Sequence, residues 1–292
     1  MKMKTMIAIA VAALLSSTAA FAAPVKKTTP KTDFEKAVEH FNNDETDAAL
    51  ELFQKVVAEK PDNGYAWAYI TSIKLSDKDI DGAYEAGMKA EPCLPTADTA
   101  FCAWFYSECG AIYAAKKDYS QAIDIMSSAI EMQPQDAFYY MRRGKYEQRV
   151  DKLEEAEADY RKAIALDAKN ESAHMGLGTI LNSKEQYDDA IGAFTEAIKL
   201  NPDNADAYAY RAISLYNTNR NDEAIADVAT AYEKDDDGKN SHCEFVLPYL
   251  MQYDSNKVIK AIEAKRDADS GNAEKWQKVL SRLNGASALG AH

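Results

Sequence analysis

The chain has 292 residues, 47 of them Asp or Glu and 34 Lys or Arg, for a formal net charge of -13 at pH 7. Such an acid excess repels nucleic-acid phosphates and anionic lipid surfaces, so it argues against nucleic-acid partners and leaves proteins or peptides. Four cysteines and four histidines form no paired metal-ligand spacing that would build a zinc site.

Residues 1–22 read as a leader: Lys2 and Lys4 open it, Met6 to Leu15 is apolar, and Ala20-Phe21-Ala22 has the small-x-small form of a cleavage site. The apolar run is too short to cross a bilayer, which takes about 20 residues, and no later stretch is longer. No membrane span is therefore expected. The first cysteine is Cys93, so no lipid anchor at the cleavage site is expected either. The leader implies a periplasmic or secreted protein, and its removal moves the formal charge to about -15. Residues 23–32, with two prolines and three lysines, read as a flexible linker.

From there a fixed spacing takes over. Gly144, Ala156, Tyr160, Ala163 and Ala168 are matched 34 residues later by Gly178, Ala190, Phe194, Ala197 and Pro202, and again by Ala212, Ala224, Val228, Ala231 and Asp236. The spacing divides the chain into six units, about 30–63, 64–97, 103–136, 137–170, 171–204 and 205–238. Within each, apolar residues recur at three and four, a helical period, and Asn/Asp/Gly turns separate the units. Small residues permit two helices to pack at about 8–10 Å, bulky ones fill the gaps between pairs, and proline stops the second helix. In the bulky slot the second unit has Gly87 and the sixth Val228.

The second and third units are separated by five extra residues, flanked by Cys93 and Cys102. In an exported protein disulfides persist, and a bridge across this ten-residue loop stabilises by about 2.7 kcal/mol on the chain-entropy model. Cys93–Cys102 is the pairing expected, although four cysteines allow three pairings and spacing alone does not choose among them.

The junction 233–244 has the register of a calcium loop, with Glu233, Asp235 and Asp237 at the first, third and fifth places, Gly238 sixth and Glu244 twelfth. Glu at the first place and Asn240 at the eighth depart from the pattern. The competing reading is a solvated acidic turn with no metal. Beyond it, Phe245 to Tyr253, Asn256 to Arg266 and Ala273 to Leu283 read as amphipathic helices, with Ser255 and Asn272 as start signals. Residues 239–285 are thus a degenerate seventh unit with a capping helix, and 286–292 a disordered tail.

The repeated skeleton resembles the tetratricopeptide repeat family over about residues 30–238. The resemblance implies an all-α fold, a right-handed α-solenoid of tandem antiparallel helix pairs whose first helices line a concave groove. It also implies where a bound peptide would sit. Trp104 is the position in the third unit; Phe138, Met141, Lys145 and Arg149 are those in the fourth. Met175 and Asn182 follow in the fifth, Tyr216 and Asn217 in the sixth. Arg142, Lys145 and Arg149 share one helix face and form a cationic stripe suited to a carboxylate, against which stands ordinary pairing with Glu147, Glu154 or Glu155. The chaperone-tail clamp of some relatives needs Lys and Asn at the fifth and ninth places of one repeat, and no unit has that pair. His174 stands where neighbouring units have Tyr140 and Tyr208, and no nucleophile elbow, phosphate loop or metalloprotease motif occurs. The expected function is a non-enzymatic protein-binding adaptor or assembly scaffold without cofactor; a calcium-responsive structural protein and an enzyme are the alternatives.

Overall fold

A computed structural model describes residues 31–235, 241–269 and 271–289. The expected leader, most of the linker, the centre of the acidic loop and the last residues of the tail lie outside this range. Among the described residues there are fourteen α-helices and no strand. The chain forms two compact units, Met1–Val150 and Asp151–His292.

The first unit holds α1 (Asp33–Asn42), α2 (Thr46–Glu59), α3 (Gly64–Ser76), α4 (Ile80–Ala90), α5 (Thr99–Ala115), α6 (Tyr119–Met132) and α7 (Ala137–Arg149). The second holds α8 (Leu153–Leu166), α9 (Glu171–Ser183), α10 (Tyr187–Leu200), α11 (Ala205–Asn217), α12 (Asn221–Lys234), α13 (Ser241–Ala268) and α14 (Ala273–Leu289). Several starts are set by short oxygen-bearing side chains, whereas α2, α8, α10 and α12 begin without a side-chain cap. Asn63, Asp98, Asn170 and Asn204 each accept from a backbone N–H in the first turn of the helix that follows, and Thr32 forms a reciprocal capping box with Glu35. Each turn between paired helices has one residue in the left-handed region: Asp44, Lys78, Lys117, Asp151, Glu185 and Asn219, with φ from 59° to 64°. None is glycine, so each costs backbone energy that the packed helices must over-determine.

Close approach explains the repeated alanines. Ala49, Ala83, Ala122, Ala156, Ala190 and Ala224, one on each second helix, have no exposed surface. Two glycines of α9 show the same demand: a Cβ on Gly176 would lie 2.3 Å from the Tyr160 ring, and one on Gly178 2.5 Å from the Phe194 ring. A second recurring device ties the first helices to the preceding turn. Trp67 and Tyr140, and in the second unit His174 and Tyr208, each donate to the carbonyl six residues back, at 2.9 to 3.3 Å. Since a carbonyl only accepts, His174 Nε2 carries the proton.

Most of the five-residue insertion becomes helix. α5 has 17 residues where α3 and α7 have 13, and its added turn sends Phe101 and Trp104 into the core around Tyr69. The structure carries the four cysteines as free thiols and does not form the Cys93–Cys102 bridge. Cys102 is buried in that added turn, and its thiol points at the Pro95 carbonyl, 3.4 Å away.

In the second unit Trp276 of α14 is fully buried and closes the core formed with α12 and α13. α13 bends at Asp254 (φ -158°, ψ 90°), whose carboxylate accepts from Lys257 N, so this helix restarts on Asp254 and not on Ser255. α14 runs to Leu289, past the point where the apolar pattern ends.

Candidate functional site

In the first unit the expected contacts lie on α5 and α7. Trp104 is 5% exposed, with its ring 5.5 Å from Tyr69 and 5.1 Å from Phe101, so it is committed to the core and presents no face to a ligand. The cationic stripe divides. Arg142 turns inward: it donates to the Ser107 carbonyl at 3.1 Å and lies 5.0 Å above the Phe138 ring. Beneath it is Glu108, a buried carboxyl pushed above its ordinary value by desolvation, against the pull of Arg142 and a hydrogen bond with Ser72. Lys145 and Arg149, one and two turns on, are exposed and carry no ion pair among the described residues. Glu147 is itself buried beside Arg143, at 3.8 Å, and does not neutralise them. Met141 is half-buried on the same helix.

In the second unit Asn182 and Met175 of α9 are half-buried, and the Asn182 carbonyl oxygen accepts from Ser214 Oγ at 3.0 Å. Asn217 is exposed, but its amide donates to Ile213 O of its own helix at 2.8 Å. Tyr216 meets Tyr249 of α13 at 5.4 Å between ring centroids. From Tyr249 the aromatic surface continues: Phe245, Tyr249 and Tyr253 are 64%, 48% and 51% exposed, four residues apart on one face. The opposite face of this helix, with Val246 and Leu250, is buried. The sequence reading gave these three rings no role; their four-residue spacing, offset from the apolar set, was the available signal.

The acidic loop is described only in part, since Asp237 falls outside the described residues. The Glu233 carboxylate takes Lys265 Nζ at 2.6 Å and its carbonyl takes Lys275 Nζ at 2.8 Å. Glu244 is exposed. No group of three or more His, Cys, Asp or Glu converges to hold a metal among the described residues, and no described helix is long and apolar enough to cross a membrane.

Residues 106–136, 141–191 and 183–239 match the sequence profile of the tetratricopeptide repeat. These segments carry the sequence pattern of the tetratricopeptide repeat. Heat shock protein STI1 of Saccharomyces cerevisiae is 31% identical over 108 residues, which is 37% of this chain and 18% of that relative. The chain therefore spans only a small part of the length of this curated relative. Among solved structures, the C-terminal part of a tetratricopeptide repeat-containing protein from Cytophaga hutchinsonii superposes with TM-score 0.64 at 17% identity, covering 83% of this chain and 97% of that one. The Cut9–Hcn1 assembly of the APC/C gives 0.63 at 15% identity, over 85% and 46% of the two chains. YrrB, described as a tetratricopeptide repeat protein with an unusual peptide-binding site, gives 0.54 at 17% identity, over 67% and 97%. At these identities the likeness is one of fold: the all-α solenoid of tandem helix pairs.

Proposed function

We propose that the protein is a non-enzymatic scaffold that holds segments of partner proteins on the first helices of its repeats. The observation that carries this reading is the exposed aromatic line Phe245, Tyr249 and Tyr253, joined to Tyr216. Exposed apolar patches of this kind mark interaction sites, and aromatic rings anchor interfaces at low entropic cost. In the first unit Lys145 and Arg149 offer charge for an acidic side chain or a terminal carboxylate. The peptide-binding site named for YrrB is in keeping with this use of the fold. Buried groups with displaced pKa values, Glu108 and Cys243, are held in packing and not at an open cleft, which favours binding over catalysis.

A photo-crosslinking amino acid placed at 249 in the source cell tests the reading. A protein adduct is expected, and it is lost when Phe245 and Tyr253 are changed to Ala. No adduct from 249 or 216, or one indifferent to those changes, overturns it. Export belongs to the same proposal: the mature chain is expected outside the cytoplasm, beginning at Ala23. A cell-derived chain that retains Met1 would remove this part.

A further inference from the structure

The second helix of each pair carries one residue that plugs the joint to its neighbours. Phe53, Met126, Tyr160, Phe194 and Val228 hold this place, and all are at most 2% exposed. In α4 the place belongs to Gly87, which is buried with the Cys109 and Thr71 side chains at van der Waals distance and no ring in the slot. A Cβ there would meet nothing nearer than Cys109 Sγ and Thr71 Cγ2, both at 3.7 Å. By contrast a Cβ on Gly64 would come within 2.1 Å of the Cys93 carbonyl, so that glycine is required by close approach. Gly87 has no such reason, and glycine inside a helix lowers its stability.

The missing ring leaves a cavity of about 180 Å³, lined by Tyr84, Met88, Glu91, Tyr106, Cys109 and Tyr113 among others. An apolar cavity of about 150 Å³ holds benzene, so the volume suits one aromatic ring. At 100° per residue, Tyr106, Cys109 and Tyr113 lie on the side of α5 opposite Trp104, Ser107 and Ala111, so the cavity is separate from the groove positions. Its walls are aromatic: Tyr84 and Tyr113 meet edge-on at 5.9 Å. Met88, 53% exposed, stands at the mouth as an adaptable apolar lip. Glu91 is the one carboxylate in the lining; burial raises the pKa of Tyr106, Cys109 and Tyr113, and the Glu91 charge adds to it. A ring that carries a hydrogen-bond donor complements that charge.

We propose that this cavity receives one aromatic side chain of a partner polypeptide, a tyrosine or tryptophan whose O–H or N–H meets the Glu91 carboxylate. The partner supplies the ring that the other pairs supply for themselves.

NMR titration of the full chain with N-acetyl-tyrosinamide and N-acetyl-tryptophanamide tests it, with N-acetyl-leucinamide as the control. Saturable shifts at Gly87, Met88 and Ile112 are expected, at least about tenfold weaker with the leucine amide. Gly87→Phe fills the slot from within and should abolish the shifts while melting no lower than the parent. Glu91→Gln should weaken the tyrosine and tryptophan amides several-fold and leave N-acetyl-phenylalaninamide unchanged. Equal response to leucine, or unchanged binding by a folded Gly87→Phe, overturns the proposal. Should Gly87→Phe fail to fold, Gly87→Leu is read in the same way. Free phenol and indole saturating the site while both amides fail would make it a small-molecule site and also overturn it.

Discussion

At the joint of α9 and α10, a Cβ added to Gly178 would come within 2.5 Å of the Phe194 ring; on α4, one added to Gly87 would meet Cys109 Sγ and Thr71 Cγ2 at an ordinary contact distance of 3.7 Å. Both glycines sit inside helices of the same kind of hairpin, yet one yields to a ring and the other leaves a ring's place vacant. Gly178 is therefore part of the packing, because α9 reaches α10 only where its side chain ends at hydrogen. Gly87 is instead part of a cavity wall. The difference teaches that a repeat can be opened at one joint while its helices keep their stacking, since Ala83 and Ala90 on either side of Gly87 remain fully buried.

The largest effect that sharpens this contrast is Phe194→Ala. Removing a fully buried ring is expected to cost about 3–5 kcal/mol, read by chemical or thermal unfolding. Gly178→Ala should follow at about 1–3 kcal/mol, because the added methyl group has to displace that ring. If either variant unfolds with the parent, the filled joint is not what it is taken to be.

A pH series separates two carboxylates. Glu108 is raised by burial above its ordinary 4.5, so its contribution to stability is full below that value and is lost as pH rises through the folded pKa. Glu157 is lowered by its hydrogen bond to Lys184, so its contribution is present above 4.5 and lost as pH falls through the folded pKa. The melting temperature of Glu108→Gln relative to the parent should climb as pH rises above 4.5, and that of Glu157→Gln relative to the parent should fall as pH rises toward 4.5 from below. A flat difference for Glu108→Gln would sink the first assignment.

Gly87→Ala should stabilise, by about 0.5–1 kcal/mol from helix propensity alone. A loss comparable with that of Gly178→Ala would erase the distinction between the two glycines. Smallest in stability is the exchange of Lys145 and Arg149 for Glu, exposed and unpaired, which should stay within about 0.5 kcal/mol. Its effect should instead appear as weaker capture of an acidic peptide.

The helical pairs were legible because their cause is local and repeated: alanine at crossings, a ring four residues on, a breaker at the end. Gly87 stood out in that pattern as a departure. The binding residues were less legible. Trp104 was placed by register, but the inserted residues lengthened α5 and turned its first rings into the core. Arg142 shares a helix face with Lys145 and Arg149, yet the buried Glu108 and the Ser107 carbonyl draw it inward. Neither partner is close to Arg142 in sequence, so no spacing on α7 could report them. The amphipathic pattern of 245–253 left the exposure of Phe245, Tyr249 and Tyr253 open, because the bend at Asp254 and the burial of Trp276 decide which face of α13 is covered.

By itself the sequence determined the all-α repeat architecture, since that follows from nearest-neighbour packing of one hairpin on the next. Only the tertiary structure decided which glycine is filled and which is open, which cation is anchored, and which aromatic rings face solvent. Those outcomes depend on atoms brought together from different helices, and a repeated spacing carries no information about the places where the repeats differ.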